Sequence, residues 1–331
     1  MPDLTTAPTS LRLPDAVRLR GDFDPERLAA DLVRLQQTNW RPQQVYTDAG
    51  VGTAAPFDWT VLPMRSVAGA VDRTDPGGAG PEGFADTPYL AEAPYIAEIL
   101  RGIPAPLRSV RLMALGPGAA TRIHADPKYG FPWGTVRLHI PLTTSPGAVL
   151  IWGEDVHQWQ PGTFWFGNFC RPHKVQNTGT GKRVHMVIDC MLTPELVQLF
   201  PEELAEVIEA EALYNRPDAP LSAAELEGLR CSFELPQSFA NWELEPDGEF
   251  LKPQPVLAAS VEAGGSGPVL SLDGRPTFGL VHLGQGEFRF AGWTEERTVQ
   301  IVARPGREPM VHLRSREGAA LRELQIPAVA R

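Results

Sequence analysis

The stretch TRIHADPKYG, residues 121–130, sets His124 two residues before Asp126. Alternate residues of a strand share a face. A strand here would therefore point Arg122, His124 and Asp126 one way and Ile123 and Ala125 the other. An imidazole nitrogen and a carboxylate oxygen then reach a single metal ion. His173, in RPHKVQN, offers a third ligand from a later strand. Two histidines and one carboxylate on a β-scaffold leave coordination positions open, and they are the ligand set of non-haem Fe(II) oxygenases.

A pocket for iron and a dicarboxylate also needs cations, and arginine grips a carboxylate through two parallel hydrogen bonds. Arg183 follows His173 by ten residues across the turn sequence NTGTG. That turn suggests a hairpin of 173–177 and 183–190, which would return Arg183 toward the metal on the face of His185. In TVRLHIPL, Arg137 and His139 share one face, while Val136, Leu138 and Ile140 take the other.

The elements that must carry these residues read mostly as short strands. From Ser109 to Leu192 the segments SVRLMAL, ATRIHAD, TVRLHIPL, AVLIWG, GTFWFG, HKVQN and RVHMVIDC alternate between turn signals, which implies a sandwich or small barrel. Before them, residues 17–23 read as a strand. DPERLAADLVRLQQTNW reads as a helix capped by Asp24, and 95–103 as a short helix. The Gly-, Pro- and Asp-rich stretch 72–88 is expected to be a lid or a disordered loop. The chain is thus expected to hold a flexible tail at 1–15 and a main domain at 16–196 with its β-core at about 109–192. A helical segment at 197–250 and a β-rich region at 251–331 follow.

Composition narrows the classes. A net charge of −10 argues against a nucleic-acid partner, and no apolar run is long enough to span a bilayer. Three cysteines without a CxxC pair, and an N-terminus without a signal-peptide pattern, lead to the expectation of a cytoplasmic protein. Cys170 and Cys190 read as small buried residues, and His157, His282 and His312 as structural. No feature of the sequence specifies an oligomeric state.

Residues from about Leu112 to Cys190 resemble the aspartyl/asparaginyl β-hydroxylases and the related bacterial proline cis-hydroxylases. The resemblance is carried by GPG before the first histidine, HAD itself, RLHIPL, WGEDVHQWQPGTFWFGN, and a histidine followed ten residues later by arginine in HKVQNTGTGKR. It implies a mainly β protein with flanking helices, whose core is a double-stranded β-helix of the jelly-roll or cupin kind. It implies His124, Asp126 and His173 as iron ligands, and Arg183 on the distal carboxylate of 2-oxoglutarate. Arg137 and His139 would lie near that cosubstrate's metal-binding end. A serine that helps hold 2-oxoglutarate in some members is replaced near Met113, and the retained Asp126 argues against halogenation.

The function expected on this basis is an Fe(II)- and 2-oxoglutarate-dependent dioxygenase using O2. It would hydroxylate an amino-acid side chain in a peptide, foremost the β-carbon of Asp or a similar residue, such as one in a ribosomal natural-product precursor. The alternative is hydroxylation of a free amino acid such as proline. Desaturation or cyclisation at the same centre, and a non-catalytic barrel that binds a metal or small acid, are the competing classes.

Overall fold

The computed structural model describes residues 13–46, 52–241, 248–265, 267–304 and 306–331. Most of the expected tail, residues 1–12, lies outside the described residues. The first half of the chain runs β1 (Ala16–Asp22), α1 (Pro25–Leu35), β2 (Arg41–Pro42), β3 (Gln44–Tyr46), β4 (Gly52–Ala54), β5 (Trp59–Val67) and β6 (Phe84–Asp86). It continues with α2 (Pro88–Ala91), α3 (Pro94–Arg101), β7 (Leu107–Leu115), β8 (Thr135–Thr143), β9 (Ala148–Trp152), β10 (Asp155–His157), β11 (Thr163–Gly167), β12 (Lys174–Asn177) and β13 (Arg183–Met191).

These strands form a double-stranded β-helix. An eight-stranded sheet has the order β1-β11-β8-β13-β7-β5-β2, with β6 added on β5, and a smaller sheet has the order β10-β9-β12. The period-two alternation seen in the sequence sorts the central strands. Val136, Leu138, Ile140, Val184, Met186, Ile188 and Cys190 join a core with Leu28, Leu32 and Leu35 of α1 and Ile96, Ile99 and Leu100 of α3. Burying each such side chain contributes roughly 1.5–3 kcal/mol. The residues between them, Arg137, His139, Arg183, His185 and Asp189, are buried on the opposite face. The helices therefore cover one face of the sheet, and the polar residues face the interior of the β-helix.

Helix α1 starts as expected: the Asp24 carboxylate accepts from the backbone N–H of Glu26 and Arg27, and Pro25 occupies the first turn. One turn later Asp31 is buried and accepts from the N–H groups of Tyr95 and Ile96 at 2.8 and 2.9 Å, which ties α3 to α1. Thr193 caps α4 (Pro194–Val197) by accepting from Leu196 N–H. Helices α5 (Ala205–Glu211) and α6 (Ala223–Gly228) follow.

The C-terminal part is a closed antiparallel barrel. Its strands are β14 (Cys231–Pro236), β15 (Val256–Gly264), β16 (Gly267–Leu272), β17 (Arg275–Gly284), β18 (Glu287–Phe290), β19 (Arg297–Arg304), β20 (Arg307–Glu317) and β21 (Ala320–Ala330). The segment 197–250, expected to be helical, thus contains the first barrel strand. β14 is six residues long and exists by pairing with β15 and, across almost one hundred residues, with β21. A strand that short carries too little local pattern to be separated from its helical surroundings.

Two further expectations change. Residues 120–126 do not form a strand: they touch 173–176 through isolated bridges at Ala120–Gln176 and His124–His173 only. The chain bends at Ile123, which is 73% exposed, between these two bridges. Nor do 173–177 and 183–190 make a hairpin. β12 pairs with β9 in the small sheet, and β13 pairs with β7 and β8 in the large one. Asn177 directs this crossover by donating to the carbonyls of Leu115 and Gly181 and accepting from Gly179 N–H.

The stretch 72–88 is an ordered wedge between the two halves of the chain. Gly80 N–H donates to the Ala291 carbonyl, and Gly279 N–H donates to the Gly80 carbonyl. Gly292 has φ +76°, and a Cβ there would lie 2.3 Å from the Gly78 carbonyl oxygen. Gly292→Ala should destabilise the protein by at least about 1–2 kcal/mol from backbone strain alone. It should also speed tryptic cleavage after Arg73, measured by limited proteolysis.

A buried ionic cluster holds the linker to the barrel. Glu287 accepts from Thr298 Oγ1 at 2.8 Å, Arg216 at 2.7 Å, Arg316 at 2.8 Å and Arg314 at 3.1 Å. Burial pushes the Glu287 carboxyl up, but the hydrogen bonds from Arg216, Arg316 and Thr298 prevail and hold it at about 2, below its ordinary 4.5. A carboxyl depressed in the folded state stabilises above its ordinary pKa, and that contribution is lost as pH falls toward the folded value. The urea midpoint of the wild type should therefore drop more steeply than that of Glu287→Gln between about pH 5 and about pH 3.

Candidate active site

His124 and His173 are brought together by the backbone. Each donates its N–H to the other's carbonyl, at 3.0 and 2.8 Å, and the rings lie 4.3 Å apart between centroids. Asp126 is held by its own N–H on the Phe169 carbonyl at 2.8 Å. One ligand atom from each of His124, Asp126 and His173 lies within 4.8 Å of the others, the one such group among the described residues.

The two imidazoles are oriented alike. Nδ1 of His124 lies 3.0 Å from the Arg122 carbonyl, and Nδ1 of His173 lies 2.9 Å from the Arg171 carbonyl. A carbonyl can only accept, so Nδ1 carries the proton and the Nε2 lone pair is left for a metal. Burial pushes the His173 imidazole down to about 4 against the opposing charge of Asp126, so it is neutral and ligand-competent at neutral pH. Two imidazoles and a carboxylate are a donor set that fits Fe(II).

Arg137 stands behind Asp126. Its guanidinium bonds the Asp126 carboxylate with one Nη and chelates Asp189 through Nε at 2.6 Å and the other Nη at 3.1 Å. Asp189 is fully buried and also accepts from Ser109 Oγ at 2.9 Å and Arg111 at 3.3 Å. Burial opposes its ionisation, but Arg137 and Arg111 hold it well below the usual carboxylate range. Sequence inspection missed Asp189, although its alternation with His185 and Arg183 along β13 was visible.

Arg183 is different. It is buried, donates to His185 Nδ1 at 2.8 Å, leaves Nε without a partner and, among the described residues, has no carboxylate within ion-pair distance. Burial alone pulls its pKa down, to about 9. His185 touches His139 through their Nδ1 atoms at 3.3 Å, and His139 Nε2 is buried without a partner. Burial and then Arg183 keep both imidazoles well below their ordinary pKa. His139 stacks on Phe169 at 4.8 Å between centroids, and Phe169 meets His173 edge-on at 4.9 Å. A continuous line of contacts therefore joins Arg183, His185, His139, Phe169 and His173. Met113 sits across from His185 on β7, in an apolar patch with Val61 and Val187.

The other residues singled out in the sequence divide. Arg122 is exposed. Asn168 accepts from the Cys170 thiol, and Trp133 offers its carbonyl to Thr294 Oγ1 of the barrel at 2.7 Å. Among the described residues His157, His282 and His312 join no ligand group.

Residues 26–192, half of the chain, match the family model of the aspartyl/asparaginyl β-hydroxylases. The chain belongs to the aspartyl/asparaginyl β-hydroxylase family. It is a 2-oxoglutarate-dependent hydroxylase, and its His-Asp-His group fits Fe(II), 2-oxoglutarate and O2. Similar solved structures include a 2OG-Fe(II) oxygenase family oxidoreductase from Burkholderia pseudomallei, with 16% identity over 53% of this chain and 84% of that one and a TM-score of 0.37. A viral collagen prolyl hydroxylase from Paramecium Bursaria Chlorella virus-1 has 10% identity over 54% and 97%, with a TM-score of 0.32. A prolyl hydroxylase from Trichoplax adhaerens, in complex with a hypoxia inducible factor peptide fragment, has 11% identity over 50% and 77%, with a TM-score of 0.33. No curated protein matches the chain. Among the described residues no helix is long and apolar enough to cross a membrane.

A buried cation without a counter-ion is costly to the fold. Arg183→Met should therefore raise the melting temperature of the ligand-free protein, by the equivalent of about 1 kcal/mol or more, in a calorimetric scan.

Proposed function

We propose that His124, Asp126 and His173 bind Fe(II) and that the enzyme hydroxylates an amino-acid side chain of a peptide, foremost the β-carbon of Asp or a similar residue. The convergence of the three ligand atoms within 4.8 Å carries this reading. The buried Arg183 guanidinium, whose Nε has no partner, supports it, because a buried cation calls for an anionic ligand and the distal carboxylate of 2-oxoglutarate is one. His139, whose buried Nε2 has no partner, would meet the same cosubstrate.

Bound Fe(II), with 2-oxoglutarate and O2, supplies the chemistry that turns a C–H bond into C–OH while 2-oxoglutarate becomes succinate and CO2. The protein's own residues supply geometry. The carbonyls of Arg122 and Arg171 fix the imidazole tautomers, and Arg137, fully engaged by Asp126 and Asp189, orients the carboxylate ligand. The cluster of Leu150, Trp152, Trp159 and Phe169 keeps water from the His173 side.

Incubation with Fe(II), 2-oxoglutarate and oxygen should add one oxygen atom to Asp-containing peptides, read by mass spectrometry. His124→Ala, Asp126→Ala and His173→Ala should abolish the gain and lower Fe(II) affinity by more than the roughly 10–100-fold that loss of a supporting group costs. Arg183→Met should retain the metal and lose 2-oxoglutarate binding. A gain on free amino acids alone would replace the peptide with the proline-hydroxylase alternative. Failure to bind both Fe(II) and 2-oxoglutarate would overturn the reading.

A further inference from the structure

The barrel loop 291–296, AGWTEE between β18 and β19, is buried throughout. Loops ordinarily run over a surface. This one is pressed onto the oxygenase half, against the segment that follows Asp126. Glu296 Oε1 pairs with Lys128 Nζ at 2.8 Å, and Glu296 Oε2 accepts from Trp293 Nε1 at 2.8 Å. Thr294 Oγ1 donates to the Trp133 carbonyl at 2.7 Å. Gly318 N–H, between β20 and β21, donates to the Pro132 carbonyl at 2.7 Å. Trp293 also lies over the guanidinium of Arg108, 4.8 Å from its ring centroid. Arg108 sits beside Ser109 at a bulge, where β7 carries one extra residue opposite β13. Three contacts from the barrel thus pin residues 128–133, which begin two positions after a candidate metal ligand.

The backbone between the barrel contact and the ligand has little slack. Lys128 has φ +59°, in the left-handed region that glycine favours. A residue with a Cβ stays there only where its surroundings fix it. Here the Lys128 side chain is 12% exposed and its ammonium is held by Glu296. Pro127 separates Lys128 from Asp126. Its ring locks its own φ and confines the residue before it, so a displacement at Lys128 is passed on to Asp126. On the other side, Tyr129 is buried 4.1 Å from the Arg137 guanidinium, and its hydroxyl donates to Asp189 at 3.3 Å. Arg137 in turn bonds Asp126 Oδ2, while Asp126 Oδ1 lies 3.9 Å from His124 Nε2. A shift of the 127–129 backbone would therefore turn Oδ1 away from the imidazoles by either route.

We propose that Glu296 of the C-terminal barrel is a positioning residue for the metal centre: through Lys128 it sets the 127–129 backbone that aims the Asp126 carboxylate. The hydroxylase core and the barrel are then one functional unit. The geometry of the core's carboxylate ligand depends on a residue beyond the family match, which ends at residue 192. The proposal rests on the reading of His124, Asp126 and His173 as metal ligands.

The test uses the full chain and Mn(II) without oxygen, with affinity read by titration calorimetry and stability by thermal melting. Glu296→Gln and Lys128→Met should each weaken Mn(II) binding about tenfold, the lower end of what loss of a supporting group costs. The double variant should lose no more than either single one, because both cut the same connection. Glu296→Asp, which keeps the charge, should recover part of the affinity. Arg216→Met removes a different contact with the barrel, to Glu287 and Glu295. It should lower the melting temperature and leave Mn(II) affinity unchanged, which separates positioning from mere stability. Where Glu296→Gln does not fold, Thr294→Val carries the test through the Trp133 carbonyl and should weaken Mn(II) binding at least about threefold. Unchanged affinity in the folded variant that carries the test would overturn the positioning role. So would additive losses in the double variant, or an equal loss in Arg216→Met. Failure of the wild type to bind Mn(II), or full affinity in Asp126→Ala, would instead sink the metal-ligand reading.

Discussion

The interior of the large sheet holds more positive than negative charge, and most of the architecture follows from keeping it dry. Arg108, Arg111, Arg137 and Arg183 are all buried there, against the carboxylates of Asp126 and Asp189. Charges in such a place stay only if they are paired or if a ligand will pair them. The apolar cover of α1 and α3 on the outer face makes that interior possible, and the wedge at 72–88 and the barrel seal its near end.

Within this interior the paired and unpaired cations have different work. Arg137 is saturated by two carboxylates, which makes it a rigid support for the candidate ligand Asp126. Arg183 donates to His185 and lies on the far side of Phe169 from the imidazoles of His124 and His173; among the described residues it has no carboxylate partner. A protein accepts the instability of such a cation where function needs it. The same contrast, between a neighbouring group already satisfied and one that is not, sets Arg108 apart from Ser109 on the bulged strand.

The two halves of the chain are joined by polar as well as apolar contacts. Gly318 N–H reaches the Pro132 carbonyl at 2.7 Å, Asn215 accepts from Glu295 N–H at 3.0 Å, and Thr294 meets the Trp133 carbonyl. The family match ends at residue 192, so this joint attaches a further element to a common hydroxylase core. The joint falls beside Lys128 and Tyr129, two and three residues from Asp126, which makes the addition a neighbour of the candidate site rather than a remote appendage.

Period-two alternation made the buried polar row legible in the sequence. Along β8 and β13, Arg137 and His139, and Arg183, His185 and Asp189, fall on alternate positions between apolar residues, and a strand has only two faces. The spacing of HAD, His173 and Arg183 likewise pointed to the ligand group that the structure assembles. What the sequence could not reveal depends on distant pairing. The bend at Ile123 arises because His124 bonds to His173 instead of continuing a ladder, and the crossover after Asn177 follows from strands that pair in different sheets. The bulge at Arg108 is defined only by its register against β13. Closure of the barrel by β14 on β21 depends on pairing across the length of the C-terminal region. Local pattern determined which residues face inward; contacts between remote segments decided which of them remain without a partner, because hydrogen-bond satisfaction is a property of the assembled interior.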